Sequence, residues 1–368
     1  MQRPVEHQSS QTAGRRLGAL LRSPWLAPLN DLDSLDELIA PFAGRFAFSR
    51  LLARVVAITV ETADTRTFWL APNRHWRGFQ AGQHVPVSFE INGRRYTRSY
   101  SLSSDPADRR RIGITVKRHA GGRVSQALHE QLRVGNVISL SQASGDFTLP
   151  AALPAQLLMI GAGSGVTPMR SLLYALRRSG YSGDIVFVHV SRRHEDAIFG
   201  AELQQLAGAW PALRMVWLHT AQSGRPQLAD LLAQVPDYRA RQTLLCGPLR
   251  FMQPLQQHWK ESGLSERLSW EQYGLFAEPQ PGEQPRQVLC LASGTQFQAA
   301  AGEPLLVAAE RAGLHPVYGC RKGLCRSCRS IKSGITRNLL TGEVCSESGV
   351  LVQLCLHAAE SDVQLLEL

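Results

Sequence analysis

The chain has 368 residues, 44% hydrophobic and 19% charged, which is too long for one ordinary core and enough for two or three globular domains. A formal net charge of +10 favours anionic cofactors or an acidic partner, but the basic residues are spread along the chain without an RNA-recognition or finger pattern, so nucleic-acid binding is not expected. No apolar run reaches about 18 residues and no export signal opens the chain, so neither a helical membrane span nor secretion is expected, and a cytoplasmic location is.

Residues 1–50 read as an N-terminal extension. Arg15-Arg-Leu-Gly-Ala-Leu-Leu-Arg22, followed by Trp25 and Leu26, could lie on a membrane surface, dock on a partner or pack on the adjoining β unit. Leu32, Leu35, Leu38 and Ile39 predict a short amphipathic helix capped by Asn30 or Asp31. Over residues 51–152, alternating runs at Arg54–Glu61, Val85–Glu90 and Ile112–Lys117 with an Asn92-Gly93 turn signal predict an antiparallel β unit. A strand after that turn ends in Arg98-Ser99-Tyr100-Ser101, which offers a forked cation, two hydroxyls and a planar ring. Gly121-Gly122-Arg123-Val124-Ser125 then leads into a helix over Gln126–Gln131, whose backbone N–H groups suit an anion.

The pattern changes at residue 153. Leu157–Ile160 predicts a short buried strand, and Gly161-Ala-Gly163-Ser-Gly165-Val166-Thr167-Pro168 joins it to a helix carrying Met169, Leu172, Leu173 and Leu176, which Gly180 ends. Strands at Ile185–Val190, Leu213–Leu218 and Thr243–Cys246 alternate with helical stretches, the mark of a parallel sheet with crossover helices. Ser191, Arg192 and Arg193 follow the second of these strands, Cys246-Gly247-Pro248 ends a later one, and Glu271 stands in the last, Trp270-Glu-Gln-Tyr273. This unit runs to residue 277, and the proline-rich 278–285 reads as a linker.

Seven cysteines, three of them between 320 and 328, fit metal ligation in a reducing compartment better than a disulfide framework. Cys320, Cys325 and Cys328, with Cys355 further on, follow the plant-type 2Fe-2S spacing, three ligands from a wrapping loop and one from a distant element. Four-cysteine zinc, or three cysteines with His315 or His357, is the alternative. Cys290 and Cys345 are expected to be bystanders.

Tyr318-Gly-Cys-Arg-Lys-Gly-Leu-Cys-Arg-Ser-Cys328 resembles the cluster loop of plant-type ferredoxin domains, and Pro304–Gly313 their helix, which implies a β-grasp fold over residues 286–368. Arg98–Ser101 and Gly121–Ser125 resemble the flavin motifs of the ferredoxin-NADP reductase superfamily, and Gly161–Pro168 with Cys246–Pro248 its nicotinamide motifs. The resemblance implies three domains: an antiparallel Greek-key flavin barrel (51–152), an α/β parallel-sheet nicotinamide domain (153–277) and the β-grasp ferredoxin domain. It implies FAD, a 2Fe-2S cluster and a nicotinamide nucleotide as cofactors, with hydride transfer to the flavin and then single-electron steps through the cluster to an acceptor.

Residue by residue, the resemblance places Arg98 at the flavin phosphate, Tyr100 beside the flavin, and Ser101 at its reactive edge. Cys246 positions the nicotinamide and Glu271 lies close to the flavin. Ser191, Arg192 and Arg193 suit a 2′-phosphate, so NADPH is expected, with NADH as the alternative. The segment before residue 51 resembles the extended N-terminus of bacterial reductases serving membrane fatty-acid desaturases, which implies such an acceptor and peripheral membrane contact. The reductase component of a soluble ring-hydroxylating or other oxygenase is the rival reading, and a non-catalytic redox sensor a third. Arg321, Lys322, Arg326, Arg329 and Lys332 either neutralise an anionic cluster or dock an acidic acceptor.

Overall fold

The computed structural model describes residues 47, 50–91, 94–119, 123–224, 226–272, 284–318, 323 and 326–367. The helix expected over Leu32–Ile39, the Asn92-Gly93 turn, Gly121, Gly122, most of the linker, Cys320, Cys325, Arg321 and Lys322 lie outside the described residues.

The first sheet comprises β1 (Leu52–Thr62), β2 (Thr65–Pro72), β3 (His84–Ile91), β4 (Arg94–Ser101), β5 (Ile112–Lys117) and β6 (Val137–Leu140). Its order is β4-β3-β6-β1-β2-β5 with every pairing antiparallel. An antiparallel bridge from Leu102, just past β4, to Ile114 on β5 brings the two outer strands together and closes the barrel. Alternation explains the core: Ala53 and Val55 point inward from β1, Phe68 and Leu70 from β2, Val85 and Val87 from β3, and all are fully buried. Helix α1 (Arg123–Gln131) adds Val124, Ala127 and Leu128 to this core.

The second sheet comprises β7 (Gln156–Ala162), β8 (Asp184–Ser191), β9 (Leu213–His219), β10 (Gln242–Gly247) and β11 (Leu268–Gln272), all parallel, in the order β11-β10-β7-β8-β9. Helices α2 (Val166–Arg178), α3 (Gly200–Gly208), α4 (Thr220–Ser223), α5 (Leu228–Ala233) and α6 (Leu249–Glu261) connect it. The run Leu157–Ile160 is apolar throughout because both faces are covered: Leu157 and Met159 enter the core containing α2, Leu158 and Ile160 the core containing Trp259 of α6. Strand order reverses between β7 and β10, and a crevice at the carboxyl ends of the strands is expected there.

Arg170, on α2 and buried, fixes this unit against the barrel. Its Nη1 donates to the Ser103 carbonyl at 2.8 Å, while its other nitrogens grip Glu202 at 2.7 and 2.9 Å.

The third sheet, in the order β13-β12-β19-β14-β17, comprises β12 (Arg286–Cys290), β13 (Gln296–Ala299), β14 (Arg329–Ser333), β17 (Val350–Gln353) and β19 (Val363–Leu365). A small sheet of β15 (Thr336–Asn338), β16 (Val344–Cys345) and β18 (His357–Ala359) flanks it. Helix α7 (Leu305–Arg311) packs Leu305, Leu306, Ala308 and Ala309 on the mixed sheet. Lys332 corrects one expectation: it does not belong to a basic rim. It is fully buried on β14, and its Nζ donates to the carbonyls of Gly334 (2.7 Å), Cys345 (2.8 Å) and Glu347 (2.6 Å). It ties β14 to the β16 region and offers no charge to a partner. Arg326 and Arg329 are exposed as expected.

Candidate functional site

The glycine loop after β7 is built for close approach. Gly163 has φ 55°, in the left-handed region, and a Cβ there would meet nothing within 4 Å, so the space above it is open. A Cβ on Gly165 would lie 2.1 Å from the Cys246 carbonyl oxygen and 2.7 Å from Gly247 N. Only glycine lets the start of α2 touch the end of β10, so the two nicotinamide motifs meet at the reversal of strand order. Thr167 Oγ1 donates to the Ser164 carbonyl at 2.8 Å, and Val166, Thr167 and Pro168 form the first turn of α2. Pro168 suits that turn, where a missing N–H leaves no partner wanting. Pro248 precedes α6 in the same way.

Cys246 is fully buried at the end of β10, in register with Gly161 on β7 and Glu271 on β11. Ser191, at the end of β8, donates to the Arg193 carbonyl at 2.8 Å, so the His219 Nδ1 atom 2.9 Å away donates to the Ser191 oxygen. Arg192 and Arg193 are exposed beside them, and Arg193 Nη1 stands 3.6 Å from Glu195.

On the barrel, register places Arg98 opposite Val87, Ser99 opposite Pro86, Tyr100 opposite Val85 and Ser101 opposite His84. Burial pushes the Tyr100 phenol up, so it stays neutral. Ser101 Oγ donates to Glu271 Oε2 at 3.2 Å. The other carboxylate oxygen of Glu271 stands 3.2 Å from His84 Nδ1, at ion-pair distance but without the alignment of a hydrogen bond. All three side chains are buried, at 3% (Ser101), 9% (Glu271) and 3% (His84) exposure, so Glu271 carries a carboxyl group from the second sheet into the barrel wall. Ser125, buried in the first turn of α1, accepts from the His119 N–H at 3.1 Å and closes the loop between them.

In the third sheet, Leu354 N donates to the Cys328 carbonyl at 2.7 Å, which draws Cys355 to the end of the loop that carries Cys328. Both cysteines are buried in one core, at 2% and 3% exposure. Gly323 has φ 79° and a Cβ on it would strike Leu356 at 2.3 Å, while Gln353 Nε2 holds the Gly323 carbonyl at 2.6 Å. Arg326, between Cys325 and Cys328, is held at φ 57°, a strained conformation for a non-glycine residue.

Three family models match this chain: an oxidoreductase FAD-binding domain over residues 52–149, an oxidoreductase NAD-binding domain over 159–257, and a 2Fe-2S iron-sulfur cluster binding domain over 290–357. An NADPH oxidoreductase from Mycobacterium tuberculosis is 33% identical over 367 residues, spanning 98% of this chain and 93% of its own. The chain belongs to the ferredoxin-NADP reductase superfamily, in the branch with a C-terminal 2Fe-2S domain. A glycine betaine monooxygenase reductase subunit from Chromohalobacter salexigens is 32% identical over 324 residues, 80% of this reductase and 86% of its own chain. The solved structure of a phthalate dioxygenase reductase shares the fold, with TM-score 0.64 and 23% identity over 87% of this chain and 98% of its own.

The reductase therefore carries FAD-binding, NAD-binding and 2Fe-2S domains, and it is an oxidoreductase. Its residues fit these groups. Ser99 Oγ, in the flavin motif, is buried with no hydrogen-bond partner among the described residues, an atom suited to a ligand acceptor. The open space above Gly163 at a helix N-terminus suits a pyrophosphate. Buried thiols on a strained loop suit a cluster that dictates backbone path. Sequence reasoning missed His84, His219 and Gln353: each contributes through a partner distant in sequence, and no local pattern announces it. Gly121, Gly122, Cys320 and Cys325 lie outside the described residues, and Arg123 opens α1.

Proposed function

We propose that this reductase oxidises NADPH and delivers the electrons singly to a terminal oxygenase, and that the acceptor is a membrane-bound fatty-acid desaturase. When bound, NADPH supplies a hydride, FAD accepts the electron pair and releases it one electron at a time, and the 2Fe-2S centre carries single electrons outward. The observation that carries this reading is the linkage of three sites. Cys246 and Glu271 stand side by side at the end of the nucleotide sheet, Glu271 reaches Ser101 on the flavin strand, and Arg98 of that strand touches Tyr318, two residues before Cys320.

The chain's own residues divide the work. Gly161, Gly163 and Gly165 with the start of α2 bind the dinucleotide phosphates, Ser191, Arg192 and Arg193 the 2′-phosphate, and Cys246, Gly247 and Pro248 shape the floor under the nicotinamide. Arg98, Ser99 and the Gly121–Ser125 loop hold the flavin phosphates, Tyr100 packs beside the ring, and the Ser101 hydroxyl, hydrogen-bonded to Glu271, holds a proton at the reactive edge. Cys320, Cys325, Cys328 and Cys355 ligate the cluster. Arg326 and Arg329 with the neighbouring basic residues face an acidic acceptor.

NADPH is supported by the Ser191–Arg193 group and by the name of the M. tuberculosis relative. The desaturase reading rests on the likeness of residues 1–50 to the extended N-terminus of desaturase-serving reductases; the alignment with the M. tuberculosis relative, whose name specifies no acceptor, runs through most of those residues. Peripheral membrane contact through that extension belongs to the same reading. A soluble oxygenase is the second reading, favoured by the monooxygenase reductase relative. Purified reductase with NADPH is expected to support turnover in a desaturase-containing membrane. Failure there, with ready reduction of a soluble oxygenase component, selects the second reading. Absence of any NAD(P)H-dependent ferricyanide reduction would leave only the redox-sensor reading.

A further inference from the structure

Tyr318 belongs to the ferredoxin unit, where, like Leu314, it packs against the buried core, and it immediately precedes the cluster loop. Its hydroxyl accepts a hydrogen bond at 3.2 Å from Nη1 of Arg98, 220 residues away on β4. The guanidinium carbon also lies 5.8 Å from the centre of the tyrosine ring, so the contact combines a polar bond with a cation–π approach. The same Nη1 donates to the Thr97 carbonyl at 2.9 Å, which anchors the guanidinium to its own strand. These two bonds use both Nη1 hydrogens. An arginine has five N–H donors in a rigid fork, and among the described residues the Nε and Nη2 edge has no hydrogen-bond partner, which suits it to an anion while the Nη1 edge faces the ferredoxin unit.

We propose that Tyr318 and Arg98 form a positioning latch that couples flavin binding to docking of the ferredoxin unit against the flavin strand. The proposal rests on the reading of Arg98 as a flavin-phosphate ligand. A bound flavin phosphate orders the guanidinium, the ordered guanidinium holds Tyr318, and Tyr318, packed on the ferredoxin core, holds that unit. No chemical step is added: the latch sets how firmly the ferredoxin unit stands against the flavin strand. Coupling between two binding events is reciprocal, so docking strengthens flavin binding by the factor by which flavin binding strengthens docking. That reciprocity separates a latch from a passive contact.

Tyr318→Phe keeps the ring and its packing and removes only the hydroxyl. Loss of one hydrogen bond to a charged donor corresponds to about tenfold or more. In the full-length variant the flavin-to-cluster step, followed by anaerobic stopped-flow absorbance, is expected to slow about tenfold. Flavin reduction by NADPH and the KM for NADPH stay unchanged. The FAD dissociation constant, measured by titration of the flavin-stripped full-length protein, is expected to rise by a similar factor. Independently of any variant, amide exchange at residues 314–318 of the wild-type protein is expected to slow when FAD is added. An FAD affinity and a cluster-reduction rate both within twofold of wild type, or exchange indifferent to FAD, would overturn the latch. Arg98→Ala separates the two layers. If it weakens FAD binding and Tyr318→Phe does not, the latch alone fails; if Arg98→Ala leaves FAD affinity unchanged, the flavin-ligand reading fails as well.

Discussion

Gly165→Ala tests whether the nicotinamide site depends on the contact between the glycine loop and the end of β10. The added methyl would sit 2.1 Å from the Cys246 oxygen, 2.4 Å from its carbonyl carbon and 2.7 Å from Gly247 N, all backbone atoms that cannot swing aside. An ordinary carbon contact needs about 3.5 Å, so α2 and β10 must part by more than about 1 Å. Overpacking of this kind costs about 1–3 kcal/mol of stability. The kinetic effect is larger, since a misplacement of about 1 Å at reacting groups lowers a rate about 100-fold. Gly163→Ala is the matched control. Gly163 has φ 55° but open space around it, so the substitution costs about 1 kcal/mol of backbone strain and leaves the contact intact. Flavin reduction at saturating NADPH, followed anaerobically by stopped-flow absorbance, should fall about 100-fold for Gly165→Ala and only a few-fold for Gly163→Ala, with FAD content unchanged in both. Equal rates for the two variants would refute the claim that this close approach shapes the site.

Exchange of both exposed arginines, Arg192 and Arg193, for alanine should raise the KM for NADPH about tenfold or more and leave that for NADH unchanged, since the proposed role of these groups is to bind the extra phosphate alone; equal effects on both nucleotides would remove the preference. Lys332→Met leaves three part-buried carbonyls without their donor, so about 3 kcal/mol of ferredoxin-unit stability should be lost. On heating, the iron–sulfur absorbance should then disappear well before the flavin is released, and coincident loss as in wild type would contradict it. His189 lies fully buried between Phe187 and Trp217, and burial lowers its pKa from 6.5 to about 4. The unfolded chain takes up this proton below about pH 6.5 and the folded chain only near pH 4. Stability should therefore fall as pH drops through that window, by about 3 kcal/mol in all. Urea midpoints at pH 7 and pH 5 check it, and a His189→Gln variant with an undiminished slope would place the effect elsewhere.

The cysteine spacing, the Gly161–Pro168 motif and the alternation of β1 and β3 were legible because each is a local demand. A cluster needs thiolates at fixed intervals, a phosphate needs bare backbone, and a half-buried strand needs period two. β2 was less visible, since Thr-Arg-Thr-Phe-Trp-Leu-Ala-Pro buries residues on both faces and blurs the alternation. β6 has only four residues and forms because β1 and β3 stand ready on either side. Lys332 was misplaced for a similar reason: a lysine beside cysteines reads as surface charge, and nothing local reveals that the Cys345 and Glu347 carbonyls of a later segment would join that of Gly334 around its amine.

Sequence by itself determined which chemistries this reductase can hold, because ligand identity and spacing are carried within short segments. Only the tertiary structure decided how the sites communicate. Glu271 reaches Ser101 across 170 residues, Arg98 reaches Tyr318 across 220, and Gly165 touches Cys246, none of which is a neighbour along the chain. Such contacts arise where independently patterned units pack. Their energies depend on distances of a few ångströms that folding sets and that residue order does not encode locally.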